Sequence, residues 1–152
     1  MRIFVSLLFS LLISNCSNNI YQIRNSYLIT IKSPKLKYSD IGLIEKSQSS
    51  ILVHIFSLGK EILRLEIGEY ISINRSIPIP LSLFNSKYLS SEYPPALLKN
   101  IFSGNPIFQG KNIVHLQNSF IQEFDHIKYR VSQSEIYFRD SKNRILIRLR
   151  RV

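Results

Sequence analysis

Along most of this chain apolar and polar residues alternate with a period of two. In YLITIK, Tyr27, Ile29 and Ile31 fall on one face, the mark of a half-buried strand. Residues 41–46 and 50–56 read as the next two strands, the latter within SILVHIF. A turn follows at Ser57-Leu58-Gly59-Lys60. In EILRLEI, residues 61–67, Leu63, Leu65 and Ile67 share one face while Ile62 and Arg64 share the other. Gly68-Glu69 then makes a tight turn into YISIN. Short strands joined by short turns predict an antiparallel meander.

The period breaks at Ile77-Pro78-Ile79-Pro80. Proline has no N–H to give a ladder, so this stretch is an extended connector or a sheet edge. Residues 85–104 form the one helical region, divided by Pro94-Pro95. Pro95 suits a first helical turn. Ala96, Leu97, Leu98, Ile101 and Phe102 follow at helical spacing, and Gly104 and Pro106 stop the helix. Strands resume at 111–117, 120–124, 126–132, 134–139 and 144–151, with Asp140-Ser141-Lys142-Asn143 as a hairpin turn. In RILIRLRR, Ile145, Ile147 and Leu149 alternate with Arg144, Leu146, Arg148 and Arg150. One face of that strand is apolar and the other cationic. A one-sided sheet must bury its apolar face, and the segment 86–103 is the candidate cover. A loose fit would leave an acyl-sized cavity and a tight fit an ordinary core; the pattern leaves both open.

The N-terminus follows another rule. Arg2 precedes IFVSLLFSLLI, an apolar run too short for a spanning helix, and small polar residues follow. This is the pattern of a signal peptide over residues 1–15. Cys16, the only cysteine, has no intrachain partner for a disulfide. It is a buried residue, a bystander to ordinary cleavage, or a point of attachment. Ile13-Ser14-Asn15-Cys16 resembles a bacterial lipobox, with Asn15 where a smaller residue is usual. That resemblance implies a lipidated Cys16 at the mature N-terminus, carrying thioether-linked diacylglycerol and an amide-linked chain such as palmitate. Ser17, in place of aspartate, implies sorting to the outer membrane. Residues 16–25 would be the tether, and 26–152 a single domain.

Composition fits one globular domain: 45% of residues are hydrophobic and 20% charged. Removing residues 1–15 takes away one positive charge, Arg2, and no negative one, so the formal charge of +10 becomes +9. Such a charge attracts polyanions. For an exported chain these are anionic headgroups or acidic proteins rather than nucleic acid. Solubility alone also accounts for it. Catalytic patterns are missing: His54, His115 and His126 are scattered, no second cysteine completes a zinc site, and no phosphate loop or nucleophile elbow occurs. The chain reads as a non-enzyme without metal or cofactor beyond the lipid on Cys16.

ILVHIFSLGKEILRLEI, residues 51–67, resembles a segment of the LolB-like outer-membrane lipoprotein family, related to the Lol-pathway lipoprotein receptor. Ser57-Leu58-Gly59 stands where that family has an exposed proline-leucine-glycine loop. ALLKNIFSGNP, residues 96–106, resembles its helix, and EIYFRDSKNRILIRLRRV, residues 135–152, its closing hairpin. The resemblance implies a curved antiparallel sheet, an unclosed barrel with a short helical cover. It implies acyl chains or lipoproteins as cargo, a periplasmic carrier protein as a possible donor, and a location on the periplasmic face of the outer membrane. Leu58 and Gly59 would form the membrane-insertion loop. From polarity alone a leucine at such a turn is more often folded back into the core. Arg144, Arg148 and Arg150 are the expected basic surface.

Overall fold

The computed structural model describes residues 23–152. One antiparallel sheet of eleven strands dominates it, in the order β6-β5-β4-β3-β2-β1-β11-β10-β9-β8-β7. The first arm is β1 (Ile23–Lys32), β2 (Lys37–Lys46), β3 (Ile51–Ser57), β4 (Lys60–Ile67), β5 (Tyr70–Ile73) and the two-residue edge β6 (Ile79–Pro80). Two helices follow, α1 (Leu81–Tyr88) and α2 (Leu97–Ser103). The second arm is β7 (Ile113–Leu116), β8 (Ser119–Glu123), β9 (Ile127–Ser132), β10 (Glu135–Asp140) and β11 (Ile145–Arg151). Each arm is a meander, and β1 pairs with β11 at the centre. The sheet's two edges are β6 and β7, so it does not close.

The alternation read from the sequence sets the faces. Tyr129, Phe138, Ile147 and Ile31 lie opposite one another across four neighbouring strands, and all are at most 2% exposed. Val53 opposite Leu65 and Ile55 opposite Leu63 continue this apolar face on the first arm. Phe84 of α1 and Leu97, Leu98, Ile101 and Phe102 of α2 belong to the same buried cluster. The helix α2 touches both β3 and β10. In a flat sheet those strands would stand about 19 Å apart, four spacings of ~4.8 Å. A helix about 10 Å across touches both only because the sheet wraps around it. Among the described residues the side chains facing one another between sheet and helices are almost fully buried, which favours a packed core over an open cavity.

Gly42 marks a close approach within the sheet. It faces Tyr27 on one side and Ile55 on the other. A Cβ there would meet the His54 carbonyl oxygen at 2.2 Å and Ile29 Cδ1 at 2.5 Å. The register between β3 and β4 also slips between Ile55 and Phe56, a bulge that bends the strand. On the second arm, Gln122 is fully buried and clamps the segment after α2. Its Oε1 accepts from the Ile107 N–H at 2.7 Å, and its Nε2 donates to the carbonyls of Ile107 at 2.9 Å and Lys111 at 2.7 Å.

Several boundaries move. The strand β1 starts at Ile23, so Ile23, Arg24 and Asn25, expected in the tether, pair with Lys46, Glu45 and Ile44. The first helix begins at Leu81, four residues before the expected start, because Pro80 fits its N-cap position. Gly104 ends α2 with φ 74°, as a left-handed C-cap. The proline stretch ends in the edge strand β6, opposite Tyr70 and Ile71.

Candidate functional site

The β3–β4 turn is the sharpest surface feature. Leu58 has φ 48° and Gly59 φ 78°, both left-handed. Two positive-φ residues match the twist of a two-residue hairpin, and glycine adopts that geometry freely. Leu58 is 102% exposed. The structure thus overturns the folded-back reading of this leucine that polarity alone favours. The turn is rooted on both sides. On one flank Asp40 accepts from the Ile41 N–H at 2.8 Å; that bond and one from the Ser57 hydroxyl hold its carboxyl below the usual range. On the other flank Glu61 is bonded by His54 and by Arg75 at 2.9 Å, and the His54 bond is the main cause of its lowered pKa. Both acids beside the tip are therefore engaged by neighbouring donors. Lys60, exposed at the turn, has no ion-pair partner among the described residues. The tip presents an apolar side chain and one free cation.

The convex face is cationic, in a pattern wider than one strand. Lys37 lies opposite Lys32, which neighbours Leu146, then Arg139, then Lys128 on β9. Like charges directly opposite across strands are destabilising, typically by about 0.2–1 kcal/mol, so this row does not stabilise the sheet. Among the described residues, Lys128 alone of these four cations has an ion-pair partner, Glu123 at 3.5 Å. Arg148 lies on the same face, held at 2.5 Å by Glu135, which also reaches Arg130 at 3.6 Å. Arg150 is exposed one register row away, opposite Glu135 and Leu28. Arg144 is exposed in the turn before β11, with φ 54°, rather than in the strand. The three expected arginines therefore do not form one cluster. Arg148 and Arg150 belong to the convex face and Arg144 to its rim. Period-two reading of the last strand finds Arg148 and Arg150 but misses Lys32, Lys37, Lys128 and Arg139, whose alignment needs the register.

A third group ties the helical connection to the sheet. Tyr93 donates its hydroxyl to Asp140 Oδ2 at 2.5 Å, and Asn143 adds its backbone N–H at 2.9 Å and its side-chain amide at 2.8 Å. Burial alone would raise the Asp140 pKa. The bonds from Tyr93 and Asn143, with His126 at 3.8 Å, outweigh it and hold the carboxyl below its ordinary value. Burial, then Asp140, pushes the Tyr93 phenol well up. Read from sequence, Asp140 is a turn residue; in the structure it is the buried end of β10. No group of three His, Cys, Asp or Glu is placed to hold a metal among the described residues. Cys16 and Ser17, the expected lipidation and sorting residues, lie outside the described residues.

No family model matches this chain, and no curated protein matches it in sequence.

Proposed function

We propose that this chain is a lipid-anchored, non-enzymatic lipoprotein facing the periplasm from the outer membrane, held by lipid on Cys16. In this reading it binds acyl chains and carries or inserts lipid or lipoprotein cargo, as its resemblance to the LolB-like family implies. The observation that carries the proposal is Leu58, fully exposed on a rooted left-handed turn beside Lys60. An apolar side chain next to a cation matches the layering of an anionic bilayer surface, apolar beneath and charged above. The wrapped sheet with its helical cover supports the same architecture. In this closed form the interior is filled, so cargo enters by displacing the helices from the sheet.

Leu58→Glu tests the reading. Leu58 touches no core, so melting should stay within a few degrees of wild type, while delivery of lipid or lipoprotein to acceptor membranes should fall. Unchanged delivery would remove the tip from the mechanism. Cys16→Ala should leave an unprocessed or mislocalised precursor, and normal membrane retention of that variant would end the lipid-anchor reading.

The convex cations favour a second reading, an assembly lipoprotein that docks an anionic partner or surface. Replacing Lys32, Lys37, Arg139 and Lys128 by glutamine should weaken low-salt association with anionic liposomes, at about 1 kcal/mol per cation near the surface. If neutral and anionic liposomes bind the parent equally, this face only solubilises.

A further inference from the structure

At the end of the sheet opposite the Leu58 turn, a cleft of about 450 Å³ opens between the C-terminus of α2 and the β9–β10 hairpin. Tyr27, Gly104, Val131 and Ile136 give part of its floor an apolar character, while Ser103, Ser132, Gln133 and Glu135 make the lining as a whole mainly polar. Gly104 keeps that floor close, since a Cβ there would meet Ile136 Cδ1 at 3.3 Å. Lys46 and Arg151 stand on its walls. Both project from the concave side, at register positions continuing Ile44 and Leu149.

The two cations are uncompensated. Lys46 Nζ donates to the Ser103 carbonyl at 3.2 Å, which caps α2 but supplies no negative charge. The one acid lining the cleft, Glu135, is bonded to Arg148 and Arg130. Neither Lys46 nor Arg151 has an ion-pair partner among the described residues. Burial, with Arg151 adding to it, lowers the Lys46 pKa. Holding a half-buried ammonium beside a guanidinium costs stability that helix capping does not explain, because Arg151 takes no part in the cap.

We infer that this cleft binds the anionic head of a single-chain amphiphile, with Lys46 and Arg151 on the head and Tyr27, Val131 and Ile136 against the first carbons of its chain. The size agrees, since small-molecule sites run to about 300–1,000 Å³. The lining is more polar than in most such sites, which suits a charged head with only the first carbons of a chain behind it. The inference deepens the proposed function by naming the head chemistry of the carried molecule. The source of the head, a phosphate ester or a fatty carboxylate, is left to the experiment.

The full chain in neutral phosphatidylcholine nanodiscs should be titrated calorimetrically with hexyl phosphate, hexanoate, hexanol and inorganic phosphate. Hexyl phosphate or hexanoate, whichever the site prefers, should bind at least about tenfold tighter than hexanol or inorganic phosphate, because charge and a few buried methylenes both contribute. Lys46→Gln and Arg151→Gln should each weaken it by about tenfold, the loss expected for a hydrogen bond to a charged group. Lys46→Gln keeps a donor for Ser103 and Arg151 is on the surface, so both variants should fold, and Lys46→Arg should restore binding. Equal affinity for inorganic phosphate, unchanged binding by the double variant, or no binding by the parent would overturn the inference. Leu58→Glu should leave hexyl phosphate or hexanoate binding intact. Loss of delivery in that variant without any amphiphile binding by the parent would fail the cleft alone. Amphiphile binding with delivery insensitive to Leu58 would fail the tip alone.

Discussion

Asp140 shows how one side chain holds two layers of the fold together. Its carboxylate is 1% exposed and collects the Tyr93 hydroxyl and two N–H groups of Asn143. Tyr93 lies in the link between the helices, so this contact fastens the cover to the sheet. Because the folded pKa of Asp140 is lowered, the carboxylate's contribution is fully present above the ordinary aspartate value of about 3.9 and is lost as pH falls through the folded value. Asp140→Asn should therefore cost about 1.5–3 kcal/mol near neutral pH, and this gap from wild type should narrow in urea titrations below about pH 4. A gap that is the same at pH 7 and pH 3 would show that the charge contributes nothing. Sequence reading could not pair Tyr93 with Asp140, because the contact joins residues 47 apart in sequence. Gln122 left a fainter trace, a polar residue at an inward position of SFIQE, where alternation calls for an apolar one.

At the level of elements, periodicity performed well where one face is buried and the other wet. The strands β4 and β11 alternate as expected, with Leu63, Leu65 and Ile67, and Ile145, Ile147 and Leu149, all at most 1% exposed. It failed at the ends, where pairing rather than pattern decides. Lys37, Tyr38, Ser39 and Asp40 read as polar, yet they are strand residues because β1 supplies partners for each. The helix α1 started early because proline fits a helix start, although Leu83 is exposed and blurs the apolar face. Gly42, not singled out from sequence, sits where a side chain would collide with the neighbouring strand. Gly42→Ala should cost about 1–3 kcal/mol or more, since its neighbour is backbone and cannot swing aside. Gly68→Ala is the control: the nearest atom to its Cβ is at 3.7 Å, an ordinary contact. Equal melting temperatures for the two variants would mean that stability does not depend on the close approach at Gly42.

Across the whole molecule, the sheet sorts its chemistry by position. The concave side is filled with apolar side chains, the convex side carries the cationic row, one end carries the Leu58 tip and the other the Lys46–Arg151 cleft. Sequence reading singled out Leu58, Arg148 and Arg150, but not Lys32, Lys37, Lys128 and Arg139 of the convex row or Lys46 and Arg151 of the cleft. The grouping came from register, which brings Lys32 and Arg139 to either side of Leu146 and turns Lys46 and Arg151 toward one cleft. The core residues of α2 also were legible, since Leu97, Leu98, Ile101 and Phe102 recur at helical spacing and are all at most 2% exposed. Whether they enclosed a void was not, because packing tightness has no periodic signature.

The start of β1 and the Leu58 turn lie at opposite ends of the sheet. Ile23 is level with Lys46 and Ile51, whereas Leu58 follows Ser57 at the far end of β3. The seven residues from Ile51 to Ser57 span about 20 Å of strand. The leash from Cys16 to Ile23 has a contour of only about 25 Å. If Cys16 carries the proposed anchor, a domain standing upright on it would hold its tip out toward the periplasm, where an incoming donor would meet it. To touch the anchoring bilayer such a domain would have to topple until the strands lie nearly flat, or invert. Reach then becomes a control on direction. Deleting Asn18, Asn19 and Ile20 should suppress insertion into the membrane that holds the protein while sparing capture from a donor, and equal insertion by the shortened chain would mean that the tip never turns back.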